Sequence, residues 1–372
     1  MRKILKRIML VFLVFVFGLV IFWIDIEGVF LSEISSTKQR IFNSPNFIDG
    51  KAKNLQNTAI MVQNDEFKSN DKNEVRRMFF NPNNPKKVPS VKGDFKNEKS
   101  DYFAWLGHSS ILFKFKNSTF LVDPLFENSA SPFPFVVSPF SGSAIFSVQD
   151  LPKIDYLIIT HNHYDHLNRT TIKKLAKKGE IKAVFVPLGV GKYLKSWGFD
   201  EAKIFEFDWN ESLEIQPNLK IHCLSARHFS GRAIFDQRKS LWASFLVEFD
   251  DFKVFFGGDS GYGEHFKKFG EKFGKLDLAF LENGQYDSAW SQIHMFPSQT
   301  LQAAVDLKTQ ILMPIHNSKY RISYHAWDTP LRDISSIYEN KKFNFDLITP
   351  KIGQIISLPL DKSKFKNEKW WE

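Results

Sequence analysis

The sequence predicts a layered α/β domain that follows an apolar N-terminal helix and a polar lead-in. From Tyr102 onwards, short apolar segments typical of strands alternate with helical segments such as TTIKKLAKKG and SQTLQAAVDL. The strand-like segments include SSILFKF, STFLVD and IDYLIIT. Strands mixed with helices over about 255 residues are typical of stacked sheets and helices. A chain of 372 residues with 43% hydrophobic residues and 39 phenylalanines can bury a large core.

The composition changes along the chain and predicts four segments. Residues 1–31 hold four basic residues in the first seven positions and then the uncharged run IMLVFLVFVFGLVIFWI over 8–24. This pattern favours a membrane anchor formed by a transmembrane helix, with a cleaved signal peptide and a core helix as alternatives. Residues 32–100 are rich in Asn, Lys and Ser and predict a polar lead-in or linker. We expect the catalytic domain over 101–360 and a polar tail over 361–372.

The basic flank of the apolar run also predicts a location. Such a flank is expected to stay in the cytoplasm, which places the catalytic domain on the non-cytoplasmic side, periplasmic or extracellular. The net charge of +9 does not indicate nucleic acid, because no dense Lys/Arg stripe with interleaved aromatic residues is present. The single cysteine, Cys223, excludes an intramolecular disulfide and a thiolate cluster, so a metal would need nitrogen and oxygen ligands.

The segment ITHNHYDHLN, residues 159–168, places three of the ten histidines within six positions. It follows an apolar run that reads as a buried strand. Histidines two positions apart, His161 and His163, can point to one side and bind one ion. Asp165 and His166 lie a turn further on and suit a second ion nearby.

Further candidate ligands follow other predicted strands. His228 comes after NLKIHCLSAR, Asp259 after FKVFFGG, and His316 after TQILMPI. A lone histidine in such a place is more often structural, but the shared placement at strand ends favours one common site. His108 in WLGHSS either orients a ligand from behind or is a buried structural residue. The histidines that lack this placement are predicted to be structural or surface residues: His222, His265 and His325.

These motifs resemble the metallo-β-lactamase superfamily, and most closely its N-acyl-phosphatidylethanolamine phospholipase D-like branch. The resemblance runs from about Tyr102 to about Ile356 and is carried by WLGHSS, VDPLF, THNHYDHL, VPLGV, ARHFSGR, LWASF, GDSGY and HMFPSQTLQAAVDL. The H-x-H-x-D-H motif is typical of the whole superfamily, whereas the HFSGR, LWASF and GDSGY series is typical of the branch. The resemblance implies an αββα sandwich of two mixed sheets with helices outside and metals at one edge.

The resemblance also implies a role for each candidate residue around two Zn²⁺ ions. The implied ligands are His161, His163 and His228 for one ion, Asp165, His166 and His316 for the other, and Asp259 as the bridge. His294 would face the reacting phosphate and is, with Asp165, a candidate catalytic residue. Three segments depart from the branch at substrate-lining places: ENGQYDSAW over 282–290, NSKY after His316, and FPFVVSPFSGSAIF after Ser131-Pro132.

The function we expect is that of a zinc-dependent hydrolase that uses a metal-bound hydroxide, with a phospholipid-like phosphodiester as the favoured substrate. Two ions about 3.5–4 Å apart stabilise charge on both the attacking and the leaving oxygen. The alternatives are a lactonase or amidase of the same fold, a nuclease, and a non-catalytic membrane-tethered metal-binding protein. The expected partners are a small-molecule or lipid phosphodiester and a membrane. In the loop 131–140, Phe133 and Phe135 predict either a lipid-facing lip or a plug on the sheet edge.

Overall fold

The computed structural model of the protein describes residues 2–26, 31, 33–62, 87–127, 129–132, 136–233, 235–360 and 367–372. The strands within these residues are β1 (Phe47–Ile48), β2 (Lys51–Ala52), β3 (Tyr102–Trp105), β4 (Ile111–Phe115), β5 (Ser118–Val122), β6 (Tyr156–Ile158), β7 (Ala183–Pro187), β8 (Ile204–Phe207), β9 (Ser212–Gln216), β10 (Leu219–Leu224), β11 (Ser244–Phe249), β12 (Lys253–Phe256), β13 (Leu278–Glu282), β14 (Ile311–Ile315), β15 (Asp346–Leu347) and β16 (Ile355–Ser357). The helices are α1 (Arg2–Ile26), α2 (Thr37–Asn43), α3 (Arg169–Lys178), α4 (Gly191–Ser196), α5 (His265–Phe273), α6 (Pro297–Asp306) and α7 (Thr329–Asn340).

Most strands belong to two mixed sheets of seven strands each. The order in the first sheet is β16-β3-β4-β5-β6-β7-β8, and in the second it is β15-β14-β13-β12-β11-β10-β9. Strands β5 to β8 run parallel in the first sheet, as do β12 to β15 in the second. Every residue of β5, β7 and β13 is buried, because parallel strands are covered on both faces and read as continuous apolar runs.

The phenylalanines fill the space between the two sheets. The rings of Phe103 in β3 and Phe280 in β13 meet edge to face at 5.2 Å, and those of Phe113 in β4 and Phe256 in β12 at 5.9 Å. Edge-to-face pairs at such distances are favourable beyond the area they bury. The outer face of the first sheet is covered by α3 and α4, and that of the second by α5, α6 and α7. The predicted α/β sandwich of two sheets is confirmed.

The first helix, α1, carries the apolar run that predicted a membrane anchor. Its described side chains, those of residues 5–19, are exposed. A helix that crosses a bilayer needs about 20 consecutive apolar residues. Within the described part of the chain, no helix has both the length and the apolar character to span a membrane. The structure therefore does not support the predicted transmembrane helix over 8–24.

The lead-in and the C-terminal segment contact the sandwich. In the lead-in, Val88 and Phe95 are buried in the main core, and the N–H of Ala52 donates to the carbonyl oxygen of Arg238 at 2.7 Å. Near the C-terminus, Trp370 and Trp371 are buried in the same core. The segment borders at residues 31, 100 and 360 stay predictions.

The loop 131–140 is described only in part. Phe133 and Phe135, the residues of the predicted lip or plug, lie outside the described residues. Around them, the N–H of Ala130 donates to the carbonyl oxygen of Val137 at 2.9 Å, and Val137 packs on a small apolar cluster that contains Tyr320. The lip and the plug both stay predictions.

Candidate metal centre

The loop between β6 and α3 carries the first four candidate ligands. A turn closes inside it, since the N–H groups of His166 and Leu167 both donate to the carbonyl oxygen of His163 at 3.1 and 2.8 Å. Asn168 then caps α3 by accepting a hydrogen bond from the Thr171 N–H at 2.9 Å, as a helix N-cap does. The turn and the cap fix this loop at the carboxyl end of β6, where ligands bind in α/β sheets.

One cluster of ligand atoms consists of His161, His163, His228 and Asp259. The distance from His161 Nε2 to His163 Nδ1 is 2.9 Å, and that from His163 Nδ1 to His228 Nε2 is 3.2 Å. Nitrogen ligands placed tetrahedrally about 2.0–2.1 Å from an ion lie roughly 3.3 Å apart. The three nitrogens therefore have the spacing that a shared cation requires.

A second cluster consists of His108, Asp165, His166 and His316. Asp165 Oδ2 lies 3.5 Å from His166 Nε2 and 2.8 Å from His108 Nε2. His108 thus holds the Asp165 carboxylate, and its ring is fully buried. The sequence left two roles for His108, the orientation of a ligand and a purely structural role. The structure shows that His108 contacts the candidate ligand Asp165.

Asp259 lies between the two clusters. Its Oδ2 faces the first, at 3.8 Å from His161 Nε2 and 3.7 Å from His228 Nε2. Its Oδ1 faces the second, at 3.2 Å from His166 Nε2 and 3.3 Å from His316 Nδ1. A carboxylate with one oxygen toward each cluster can bridge two ions.

The loop that carries Asp259 approaches the β6–α3 loop at a glycine. Gly258 has a φ of +60°, and a Cβ added there would lie 2.8 Å from Thr160 Cβ. A side chain would therefore be strained by its backbone conformation and crowded by its neighbour. The glycine allows Asp259 to come within reach of His161.

A third cluster adds Glu282 and His294 to Asp259 and His316. Glu282 Oε2 lies 2.6 Å from His294 Nδ1, and the Met295 N–H donates to Glu282 Oε1 at 2.8 Å. The His294 ring stacks on that of His316 with 5.3 Å between the ring centroids. The predicted catalytic residue His294 therefore lies beside the ligand clusters and is held there by a buried carboxylate.

Without a bound metal, the ionisation states of the ligand side chains favour cation binding. Burial lowers the pKa values of four imidazoles: those of His161, His228 and His316 well below the usual value, and that of His163 to about 4. Neutral imidazoles offer the lone pair that a metal needs. Burial opposes the ionisation of Asp165 and Asp259, but the nearby imidazoles outweigh it and hold the pKa of both carboxyls well below its usual range.

Three other groups at the site, His166, Glu282 and His294, have raised pKa values. Burial opposes the protonation of His166, but three carboxylates around it outweigh burial and raise its pKa well above the usual value. His166 must therefore lose a proton when it binds a metal. Burial raises the pKa of Glu282 to about 7, and contact with Glu282 raises the pKa of His294 against the effect of burial. Both groups of the pair are therefore protonated more readily than they would be in water.

Two ligands are oriented by contacts behind them. Asp123 Oδ2 lies 2.7 Å from His166 Nδ1, and the Ile293 carbonyl oxygen lies 3.1 Å from His228 Nδ1. Metal-binding histidines usually contact a carboxylate, carbonyl or water through the second ring nitrogen, which fixes the tautomer. The rings therefore present a defined nitrogen to the centre.

Two histidines of the second cluster have strained backbones. His108 and His316 have φ values of +54° and +68°, in the left-handed region that residues with a Cβ rarely adopt. They support each other, because the His316 N–H donates to the His108 carbonyl oxygen at 2.9 Å. Backbone strain of this kind is concentrated at functional sites.

A divalent cation fits these residues. His166 Nε2 and Asp259 Oδ1 are buried and lie 3.2 Å apart, but neither makes a hydrogen bond to a residue that the structure describes. A buried polar atom without a hydrogen bond costs free energy, and a cation between these atoms would remove that cost. Imidazole and carboxylate ligands suit zinc as well as iron, manganese and nickel, so the donor set indicates a divalent metal without selecting one.

The structure thus brings together the candidate residues that the sequence indicated. The members of this set are His161, His163, Asp165, His166, His228, Asp259, His294 and His316. The sequence reasoning missed the roles of Asp123 and Glu282. Both occupy strand ends, Asp123 directly after β5 and Glu282 at the end of β13, which is the signal that could have found them.

The segment 282–290, expected to line the substrate, has a packing role at Gln285. This side chain is 2% exposed and donates to the carbonyl oxygens of His316 and Tyr320 at 3.3 and 3.0 Å. Its Oε1 accepts from the N–H of Ile322 at 2.8 Å. Gln285 therefore ties the loop after β13 to the loop that carries His316.

Comparisons with known proteins show which family the sequence resembles. A family profile described as "Beta-lactamase superfamily domain" matches residues 118–317. An uncharacterized protein of Mycobacterium tuberculosis is 33% identical over 272 residues, which cover 72% of this chain and 71% of the relative. The N-acyl-phosphatidylethanolamine-hydrolyzing phospholipase D 1 of Caenorhabditis elegans is 30% identical over 275 residues, 70% of this chain and 77% of that protein.

A solved structure has the same fold. The metallo hydrolase Igni18 of the archaeon Ignicoccus hospitalis superposes with a TM-score of 0.53 at 17% identity and covers 71% of this chain and 100% of its own. The similarity at this identity concerns the arrangement of sheets and helices.

Proposed function

Because the chain belongs to the metallo-β-lactamase superfamily and is a metallo-hydrolase, we propose that it is a binuclear zinc enzyme that hydrolyses a phospholipid-like phosphodiester. The observation that carries the proposal is the sharing of Asp259 between clusters of imidazole and carboxylate ligands. The relative from Caenorhabditis elegans, named as a phospholipase D that hydrolyses N-acyl-phosphatidylethanolamine, supports the substrate class.

The ligand residues would hold two cations side by side. His161, His163 and His228 would bind one, and Asp165, His166 and His316 the other, with Asp259 between them. Two bound divalent cations supply Lewis acidity, which lowers the pKa of water and stabilises charge that develops on phosphate oxygens. Asp165 would keep its orientation through its contact with His108, so that the ligand set does not rearrange during the reaction.

His294 would handle the proton of the leaving group. Its Nδ1 faces Glu282 Oε2 at 2.6 Å, which leaves Nε2 as the nitrogen available to a substrate. When water oxygen bonds to phosphorus, the bond from phosphorus to the leaving oxygen breaks and that oxygen needs a proton. His294 Nε2 can donate this proton, while Glu282 stabilises the charged imidazole before the transfer.

We also propose that the chain works at a membrane with the catalytic domain on the non-cytoplasmic side. The support is the basic start of the sequence followed by the apolar run 8–24. A lipid substrate would be concentrated at such a surface.

The decisive experiment combines metal analysis with a substrate panel on the purified full-length chain. The panel holds N-acylated and ordinary phospholipids, a water-soluble phosphodiester, lactones and amides. His163→Ala should abolish hydrolysis, whereas His222→Ala should not, since His222 pairs with Glu248 at 3.0 Å outside the clusters. If only lactones or amides are hydrolysed, the substrate is one of these and not a phosphodiester. The absence of any bound divalent metal would overturn the proposal.

A further inference from the structure

A segment of the polar lead-in, residues 52–62, lies against the loops of the metal centre. These loops are the one after β10, which carries His228, and the one after β13, which carries His294. Three backbone N–H groups of the segment donate to them: Ala52 to the Arg238 carbonyl oxygen (2.7 Å), Ala59 to Gln292 Oε1 (2.8 Å) and Val62 to the Ala289 carbonyl oxygen (2.6 Å). The segment is therefore hydrogen-bonded along the edge of the site.

Within this segment, Asn54 holds the backbone of a metal ligand. Its Nδ2 donates to the His228 carbonyl oxygen at 2.8 Å, and its Oδ1 accepts from the His228 N–H at 3.1 Å. His228 follows the end of β10, and the Asn54 amide satisfies both backbone groups of His228, as a neighbouring strand would. The His228 ring is 1% exposed and contacts the Ile293 carbonyl oxygen through Nδ1 at 3.1 Å. Backbone and ring of the ligand are thus fixed from two directions.

Arg227, the residue before this ligand, fastens the segment in place. Its guanidinium donates to Thr58 Oγ1 at 3.0 Å and to the Asn57 carbonyl oxygen at 3.3 Å within the segment. It also donates to Gln292 Oε1 at 2.9 Å on the loop after β13. One side chain therefore connects the lead-in with both loops, and a shift of the segment would be passed on to His228.

The segment also forms one wall of a pocket that opens beside the metal centre. The pocket has a volume of about 330 Å³ and is bounded on the other side by His228 and Phe229. Lys53 and Arg238 are the charged residues among its described lining, and both are positive. A pocket whose described lining holds two cations, three amides, one hydroxyl and no carboxylate fits an anionic group.

We propose that residues 52–62 are part of the active site. Asn54 is a positioning residue for the metal ligand His228, and the pocket binds an anionic group of the substrate, such as a phosphate next to the bond that is cleaved. The assignment of the pocket rests on the proposed hydrolase function, whereas the role of Asn54 depends only on metal binding.

The role of Asn54 is tested by metal affinity. Asn54→Ala should weaken the binding of one divalent ion by about 10–100-fold, the usual effect of losing a contact behind a ligand, measured by competition with a chelator. The visible spectrum of the Co²⁺-loaded protein should change at the same time. Asn344→Ala is the matched control, because this asparagine has an exposed side chain and lies outside residues 52–62. Its affinity and spectrum should equal those of the unmodified chain.

A second variant keeps the test independent of folding. Asn54→Asp retains the acceptor for the His228 N–H and loses the donor, so it should fall between the alanine variant and the unmodified chain. Thermal unfolding of the metal-free proteins shows whether each variant folds. Unchanged metal affinity and an unchanged Co²⁺ spectrum in folded Asn54→Ala, or in Asn54→Asp if the alanine variant is unfolded, would overturn the role of Asn54.

The pocket is tested by separating KM from kcat. Lys53→Gln combined with Arg238→Gln should raise KM for an anionic ester about tenfold while kcat and metal content change little. Lys51→Gln combined with Lys239→Gln removes two exposed charges beside the pocket and should leave KM unchanged. An unchanged KM in the pocket variant would overturn the pocket. If only uncharged esters are hydrolysed, the proposed phosphodiesterase function is wrong. The test of Asn54 measures metal affinity and does not depend on either of these outcomes.

Discussion

At the residue scale, Asp259 is the position where one substitution should affect both ions. Asp259→Asn keeps the shape of the side chain but removes the charge that faces both clusters. We expect bound metal to fall by at least half and hydrolysis to be lost, as measured by elemental analysis and a turnover assay. Asp306→Asn serves as the control, because Asp306 is not part of the metal centre. Its Oδ2 accepts a hydrogen bond of 2.6 Å from the Tyr262 hydroxyl. Full metal content in Asp259→Asn would show that this carboxylate is not a bridge.

Glu282 offers a test of the proton-transfer role of His294. Glu282→Gln replaces a carboxylate that stabilises the charged imidazole with a neutral amide of the same size. We expect kcat to fall about 10–100-fold, within the range of general acid catalysis, with metal content unchanged. The chain contains a matched control in Glu248→Gln, since Glu248 pairs with His222 far from the site. Loss of metal from Glu282→Gln would indicate that the third cluster binds an ion itself.

The ligands could be predicted from sequence because their spacing is local. Four of them lie within six positions, and a family motif gives the others. Glu282 and Asp123 have no such spacing. Their roles arise only when β13 and β5 bring them behind His294 and His166, which is a property of the folded sheets.

At the scale of elements, the alternation of segments predicted the individual strands and helices well. SSILFKF, STFLVD and IDYLIIT contain β4, β5 and β6, and TTIKKLAKKG lies within one residue of the bounds of α3. The order of the strands was not predictable from the residues alone, because pairing such as that of β16 with β3 joins segments about 250 positions apart. The resemblance to a known family implied two mixed sheets, and the order of their strands comes from the structure.

The close approach of two loops at Gly258 leads to a stability prediction. Gly258→Ala should lower the melting temperature and weaken metal binding, because the new Cβ would crowd Thr160. Gly179→Ala is the control, since Gly179 also has a positive φ, +70°, but has no atom within 4 Å of the added Cβ. Both alanine variants have the same kind of backbone strain, because both positions have a positive φ. The difference between their free energies of unfolding therefore measures the crowding against Thr160, which we expect to cost about 1–3 kcal/mol. Equal melting temperatures would show that the loops can separate without cost.

At the scale of the whole molecule, the lead-in connects the N-terminal helix to the metal centre. The composition of residues 32–100 indicated a polar linker, since such a segment shows no strand or helix period. Its contacts with the His228 loop include those of two single side chains, Asn54 and Arg227, and no periodicity in the sequence indicates them. The polar character of a segment therefore does not exclude a structural role.

The basic start and the apolar run 8–24 predict that the full-length chain is recovered with membranes. Removing residues 1–31 should release the chain into the soluble fraction while metal content and turnover of a water-soluble substrate are retained. A second variant, Val11→Lys combined with Phe15→Lys, keeps the length of the helix but places charges in the apolar run, and it should also be released. Protease added to intact cells or spheroplasts should reach the catalytic domain. Recovery of the full-length chain in the soluble fraction would refute the attachment, and protection from protease would refute the orientation, because the positive flank would then lie on the opposite side of the membrane.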